Sequence, residues 1–510
     1  MVSIERIRRV LDRWRSRPQP PTRFEKMADA FRARIDRWPP TPAGSDAGRK
    51  RIGVVIAPWL ESAVPFFSME CAARLSASAE VSLIWDTSNI HFNAARSHEV
   101  AGIRQCLAQL EKWFSVIDAG KGPCEGGMDR ALIETLLHEN AVARTQGEQK
   151  AAELSASHAA SVDEMARHGG RIRALLKTQN FDWVLIPGGV WGVSGIYCRM
   201  AAEQGVRFTT YDCGDGILFL AHDGVAAHFA DMSGAFQQVL AESAGEPAQH
   251  ERMVAVARAE LATRMQGTDL YRLQPKPAGQ ASEETWNILL PLNYRSDSAA
   301  MCRQRLFTSV GDWLRQVLAW LQTQPSVTLA IRQHPCEKIE EFRGSDRWEE
   351  LVAGYGLGER CRFIAAADDV NTYDLLARTR VVLPCTSRVA IEAGIFGKPV
   401  ILGWETYYED CGFACKAESV PEYFEMILRA LRGELPPPAG AEDSAAVAYY
   451  LAEKCFGLET GFTPSPNDFA RWVERARDEL WAAPENALLH EALVTRQSLA
   501  VLQNRRFAKA

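Results

Sequence analysis

The stretch Pro384-Cys-Thr-Ser-Arg-Val-Ala-Ile-Glu-Ala-Gly-Ile-Phe-Gly-Lys-Pro-Val-Ile-Leu-Gly403 decides the fold. The β-branched run from Val381 to Leu383 just before it reads as a buried strand. Thr386 and Ser387 then offer N-cap hydroxyls, and Ala390, Ile391, Ala393 and Ile395 follow at helical spacing. Gly397 stops the helix, and Pro399 to Leu402 reads as the next strand. A strand-turn-helix-strand unit of this kind belongs to a parallel sheet. It points a helix N-terminus at the sheet's carboxyl edge, where unpaired N–H groups and the positive dipole end hold an anion.

Glu392 interrupts the otherwise small and apolar helix. A carboxylate buried there without partners would cost several kcal/mol, so it needs donors. It lies about 7 to 8 Å along the helix axis from Ser387, close to the separation of a nucleotide's phosphate from its ribose hydroxyls. The competing account is that Glu392 faces solvent or pairs with Arg388 one turn back. Upstream, the strand Val327 to Ile331 runs into Arg332-Gln-His-Pro335, which adds a guanidinium and an imidazole at a second strand end.

These pieces sit in a second α/β series that begins at Trp286 to Leu292 and continues through a helix from about Met301 to Leu321 and a strand at Arg362 to Ile364. A first series precedes it. Ile52 to Ala57 is a buried strand, a helix runs through Ala73, and Val81 to Trp85 completes a βαβ opening. Helical patterns occupy His98 to Trp113 and Met128 to Leu176, and strands return at Phe181 to Ile186 and Arg207 to Tyr211. Strand alternating with helix implies parallel sheets covered on both faces. The expected fold class is therefore α/β, two Rossmann-like domains facing across a cleft, with helical N- and C-terminal extensions. The expected boundaries are an N-terminal extension over 1–50, a first domain over 51–265, a Pro-containing polar linker over 266–284, a second domain over 285–435 and a helical C-terminal segment over 436–510.

The first domain carries two chemical candidates. Gly188, Gly189 and Ser194 follow a strand end and let backbone approach a ligand, although the spacing is neither a dinucleotide fingerprint nor a P-loop, and a tight turn explains the glycines equally well. Asp212-Cys-Gly-Asp215-Gly216, followed by His222, Asp223 and His228, is the densest cluster of ionisable groups in that half. Loops beyond strand ends commonly carry chemistry, yet Asp-Gly pairs are also ordinary turn formers.

Composition narrows the class. The 510 residues exceed a single core, and 47% hydrophobic with 24% charged residues describes an ordinary globular protein. A net charge of −6 argues against a nucleic-acid partner. The 12 cysteines include no Cys-x-x-Cys pair, so neither a zinc ribbon nor a dithiol redox motif is expected. No apolar run approaches the roughly 20 residues that cross a bilayer, so a cytoplasmic location is expected. In residues 1–17, Ile4, Ile7, Leu11 and Trp14 recur at helical spacing among six arginines. That pattern suits either a basic amphipathic helix on the inner-membrane surface or one docked on the protein's own body.

The span 286 to 410 resembles the glycosyltransferases of the GT-B fold that build bacterial capsules and surface polysaccharides, the Kdo transferases among them. Three pieces carry the resemblance: Pro291-Leu-Asn-Tyr-Arg-Ser-Asp297-Ser298, the His334-Pro335 loop, and Thr386 to Glu392 followed by Gly397-Lys-Pro399. It implies a nucleotide-sugar as co-substrate, with no further cofactor, and a glycan or glycolipid acceptor. Arg332, His334 and Lys338 would then line the donor phosphate, Thr386 and Ser387 would cap it, and Glu392 would hold the ribose. No metal is implied, and the chain contains no Asp-x-Asp to hold one. The general base would come from the first domain, with Asp215 first, Asp212 second, and His222 or His228 as substitutes. Here the chain departs from the family's Glu-Asp-Gly-Phe-like run, reading Gly214-Asp-Gly-Ile217. Teichoic-acid-type glycerol- or ribitol-phosphate polymerases and sugar-nucleotide 2-epimerases share parts of the pattern, and a non-catalytic assembly subunit would keep the fold while losing the pocket.

Overall fold

The computed structural model describes residues 21–38, 48–88, 96–155, 159–214, 216–268, 273–275, 284–295 and 297–509. The basic segment 1–17 and Asp215 lie outside the described residues.

The first sheet is built on β1 (Arg51–Ile56), β2 (Glu80–Trp85), β3 (Ser115–Asp118), β4 (Trp183–Pro187) and β5 (Arg207–Gly214), all parallel. Val54, Val55, Ile56, Val184 and Ile186 are fully buried, as continuous apolar strands covered on both faces should be. β6 (Ile217–His222) then turns back antiparallel to β5. That strand corrects the expectation of a catalytic loop over 212 to 228. Gly216, at φ 78°, takes the left-handed turn that the Asp-Gly pair favours, and Ile217-Leu-Phe-Leu-Ala pairs onward as a strand.

The second sheet has the order β10-β7-β8-β9, entirely parallel, from β7 (Trp286–Pro291), β8 (Leu329–Arg332), β9 (Cys361–Ile364) and β10 (Thr379–Val382). The helix Val310–Gln322 covers one face through Trp313, Leu314, Val317 and Leu321. It starts later than the expected 301, because Ser309 caps it by accepting from the Asp312 N–H at 3.1 Å. On the other face, Met253, Ala257 and Leu261 of the helix Pro247–Met265 share a core with Leu289, Ile391 and Ala445. A short pair, β11 (Ile401–Leu402) and β12 (Cys415–Lys416), extends this half.

The chain then returns. The helix Ala441–Tyr450 opens into a π turn, Leu451–Cys455, and β13 (Leu458–Glu459) joins the edge of the first sheet beside β6. Phe462, Phe469, Trp472 and Trp481 enter the same core as Phe24, Phe31 and Phe66. Polar contacts also tie the two halves. Glu148 accepts from the N–H groups of Val310 and Gly311 at 2.8 and 2.9 Å, while Asp346 accepts from the N–H groups of Glu148 and Gln149 at 3.0 and 3.2 Å. Each half thus caps a helix of the other. No helix among the described residues is long and apolar enough to cross a membrane.

Candidate functional site

Two cavities lie at the carboxyl edges of the two sheets. The cavity of the second sheet, about 240 Å³, is walled by the ends of β7, β8 and β10. Arg332, His334, Thr386, Ser387 and Glu392, all marked by the sequence, are brought together there. Lys338 is not: it is exposed and donates to the Leu273 carbonyl at 2.8 Å.

The helix after β10 spans Val389–Ile395 and is only seven residues long. Glu392 on it is 2% exposed. Its Oε1 accepts from Tyr373 Oη at 3.2 Å and lies 3.8 Å from Arg264 Nε, whereas its Oε2 makes no hydrogen bond. Burial raises its carboxyl above the ordinary range, opposed by the charges of Arg264 and Arg388. Thr386 Oγ1 is likewise buried and without a partner, while the Thr386 N–H donates to Asn293 Oδ1 at 3.2 Å. Asn293 in turn donates to Asp297 at 3.0 Å, which fixes the loop after β7. Both residues belong to the cavity lining, and a buried polar atom without a partner is uncommon in a folded protein.

His334 Nδ1 accepts from the Cys336 N–H at 3.2 Å. Burial beside Arg264 and Arg332 holds its pKa down to about 4, so near neutral pH the ring is uncharged with its proton on Nε2, a donor at the cavity. Arg332 reaches the cavity with its guanidinium largely committed: its Nη atoms donate to the carbonyls of Ala365 and, at 3.1 Å, Val370, leaving Nε unpaired. The guanidinium braces the loop after β9. Arg264 and Arg388 also line this cavity, and neither was singled out for phosphate in the sequence. Arg264 stands in the last turn of a helix that precedes the linker by sequence, so no local motif marks it.

The cavity of the first sheet, about 520 Å³, is walled by the loop after β1, the ends of β4 and β5, and the returning segment 464 to 471. Gly188, at φ 69°, lines it, and a Cβ at this position would meet the Trp59 ring at 2.7 Å. Glycine therefore lets the indole lie on the backbone. Ser194 is fully buried, accepts from the Gly189 N–H at 3.2 Å and donates to the Trp191 carbonyl at 2.6 Å. It shapes the Gly188-Gly189 turn and does not line the cavity.

Asp212 does line it, beside Ser62, Asn467 and Asp468. Burial pushes its pKa up to about 6, against the single Cys213 N–H that donates to Oδ1 at 2.7 Å. His222 is a correction. It pairs across from Thr209, three residues back along β5 from Asp212 and so about 10 Å away. Its Nδ1 bonds Thr209 Oγ1 and its Nε2 the Gln497 carbonyl, both at 3.0 Å, because the hairpin carries it away from the carboxyl edge. His228 is buried too, held neutral at a pKa of about 3, and packs by the turn at Ser298.

Two Rossmann-like domains, each with a cavity beyond the carboxyl ends of its parallel strands, define the architecture. No family model matches the chain and no curated protein matches it. Among solved structures it is similar to Thermosulfurimonas dismutans KpsC, beta Kdo 2,4 transferase, at 14% identity over 52% of this chain and 79% of that one, TM-score 0.32. It is also similar to UDP-GlcNAc 2-epimerase from Neisseria meningitidis, at 12% identity over 78% and 95%, TM-score 0.24. Sucrose-phosphate synthase from Thermosynechococcus elongatus matches at 12% identity over 88% and 100%, TM-score 0.26.

Proposed function

We propose that the protein is a glycosyltransferase that moves a sugar from a nucleotide-activated donor to a surface glycan acceptor. The observation that carries this reading is the pair of buried oxygens without a hydrogen-bond partner, Glu392 Oε2 and Thr386 Oγ1, on two residues that line the second-sheet cavity. A carboxylate oxygen without a donor matches a ribose diol, and a hydroxyl six residues earlier, ahead of the helix, matches a phosphate oxygen. His334 Nε2 adds a neutral donor.

The acceptor occupies the first-sheet cavity, where an indole edge, hydroxyls and carboxylates suit a carbohydrate. Asp212 is the base that the described geometry supports. Its elevated pKa leaves it ionised near pH 7 yet basic enough to take a proton. The acceptor oxygen attacks the anomeric carbon and passes its proton to Asp212. The bond from that carbon to the donor phosphate oxygen breaks, and its electron pair leaves with the nucleotide. Direct attack inverts the anomeric centre.

The test is titration of the purified protein with CMP, UDP, GDP and dTDP, followed by transfer assays with the matching sugar nucleotides. Binding of one nucleotide, with glycoside formation lost in Asp212→Asn, is expected. Binding of none of the four would reject the donor site. Phosphodiester products, or interconversion of the donor without acceptor, would replace the reaction class.

A further inference from the structure

Behind the second-sheet cavity, a single carboxylate oxygen holds two guanidiniums. Glu453 Oε1 accepts from Arg264 Nη1 at 2.8 Å and also from Arg388 Nη1. Arg264 and Arg388 line the cavity and are partly exposed, at 22% and 29% of their side-chain surface. Glu453 comes from neither the donor motif nor the helix that carries Arg264. It stands in the π turn Leu451–Cys455 of the returning C-terminal segment, and single π turns inside helices recur at functional sites.

The charges balance without a ligand. Arg264 and Arg388 face Glu392 and Glu453, two positive groups against two negative ones. Glu392 is buried, with Oε1 3.8 Å from Arg264 Nε and Oε2 without a hydrogen-bond partner. Glu453 therefore occupies the place an anionic oxygen takes between two forked donors. The neighbouring helix has only seven residues, and the two guanidiniums bring full positive charges to the same cavity.

We infer that Arg264 and Arg388 form the phosphate-binding pair of this cavity, and that Glu453 is a resident anion which an incoming phosphate displaces or competes against. The inference deepens the nucleotide-sugar reading and rests on it for the identity of the phosphate's source. The carboxylate keeps both guanidiniums placed while the cavity is empty. It also sets a threshold that a phosphate must exceed to bind. As the glycosidic bond breaks, the charge growing on the leaving phosphate meets two preorganised donors.

Inorganic pyrophosphate and the preferred nucleotide serve as separate probes in calorimetric titrations of the full chain. Glu453→Gln keeps the side chain's shape and removes its charge, and is expected to tighten pyrophosphate binding about tenfold, one charge's worth of lost competition. Arg388→Gln, which leaves the Arg264–Glu453 pair intact, is expected to weaken both probes at least 30-fold. Glu392→Gln should weaken the nucleotide without weakening pyrophosphate. Unchanged or weaker pyrophosphate binding in Glu453→Gln overturns the resident-anion assignment, and unchanged binding in Arg388→Gln overturns the pair. If Glu453→Gln does not fold, Arg388→Gln alone decides. Pyrophosphate binding that responds to these variants in a protein that binds no nucleotide would keep the anion site and remove the nucleotide-sugar reading.

Discussion

Replacing Glu392 by Gln separates binding from stability. The side chain is buried and its Oε2 has no hydrogen-bond partner. Two ribose hydroxyls donating to a carboxylate make charge-assisted bonds worth about 1.5–3 kcal/mol each, and an amide keeps one neutral acceptor, so the expected loss is about 2–3 kcal/mol. That converts to a roughly 30- to 150-fold rise in Kd for the preferred nucleotide. Without ligand the sign reverses. An ionised oxygen left unsatisfied in a buried site costs about 1–3 kcal/mol, so the amide should leave the melting temperature unchanged or raise it by a few degrees. The raised carboxyl adds a pH signature. The ribose bonds need the ionised form, so wild-type nucleotide affinity should fall as pH drops through the elevated pKa, and the Gln variant should lack that dependence. Calorimetric titration at pH 5 to 8, with thermal melts of the apo protein, measures all three. A Gln variant with wild-type nucleotide affinity, or one much less stable than wild type, refutes the ribose assignment.

Four further residues give testable outcomes. Asp212 ionises at about pH 6, and only its ionised form accepts a proton, so kcat/KM should fall tenfold per unit below that pH. Asp212→Asn should cost about 10²- to 10⁴-fold in rate. Because the folded pKa lies above the unfolded one, this group's stabilising contribution is complete below the unfolded pKa and is lost as pH rises through about 6, so melts of Asp212→Asn at pH 7.5 should be no lower than wild type. Gly188→Ala places a Cβ at φ 69° and 2.7 Å from Trp59, and chemical denaturation should show a loss of about 1–3 kcal/mol with weaker acceptor binding. Glu148→Gln weakens a cap on the helix Val310–Gln322 and its ion pair with Arg295 at 2.7 Å, so a loss of about 1–2 kcal/mol is expected in the same experiment. The Glu453→Gln titration completes the set.

Local pattern made much of the second half legible. The alternation of short apolar strands with helices, and the stop at Gly397, are near-neighbour properties of the chain, and the structure places β10, the helix Val389–Ile395 and β11 close to where periodicity put them. The convergence of His334, Thr386 and Glu392 also follows from parallel strands, since consecutive strand ends must share one edge. In the first half the same logic misled at His222. Residues 212 to 222 read as a chemical loop because ionisable residues and glycines are dense there, but whether a polar run is a loop or a hairpin depends on the edge it can pair with.

By itself, the sequence determined two α/β halves, their strand ends and an acid on a short helix, because each depends on residues within a few turns of one another. Tertiary structure alone decided which charges meet. Arg264, Arg388 and Glu453 stand on three separate segments, and Glu453 meets both guanidiniums from the π turn of the C-terminal segment that crosses back to lay β13 on the first sheet. Electrostatic partners are chosen by distance in space, and a carboxylate 65 residues from Arg388 in sequence carries no local sign that it will bind there.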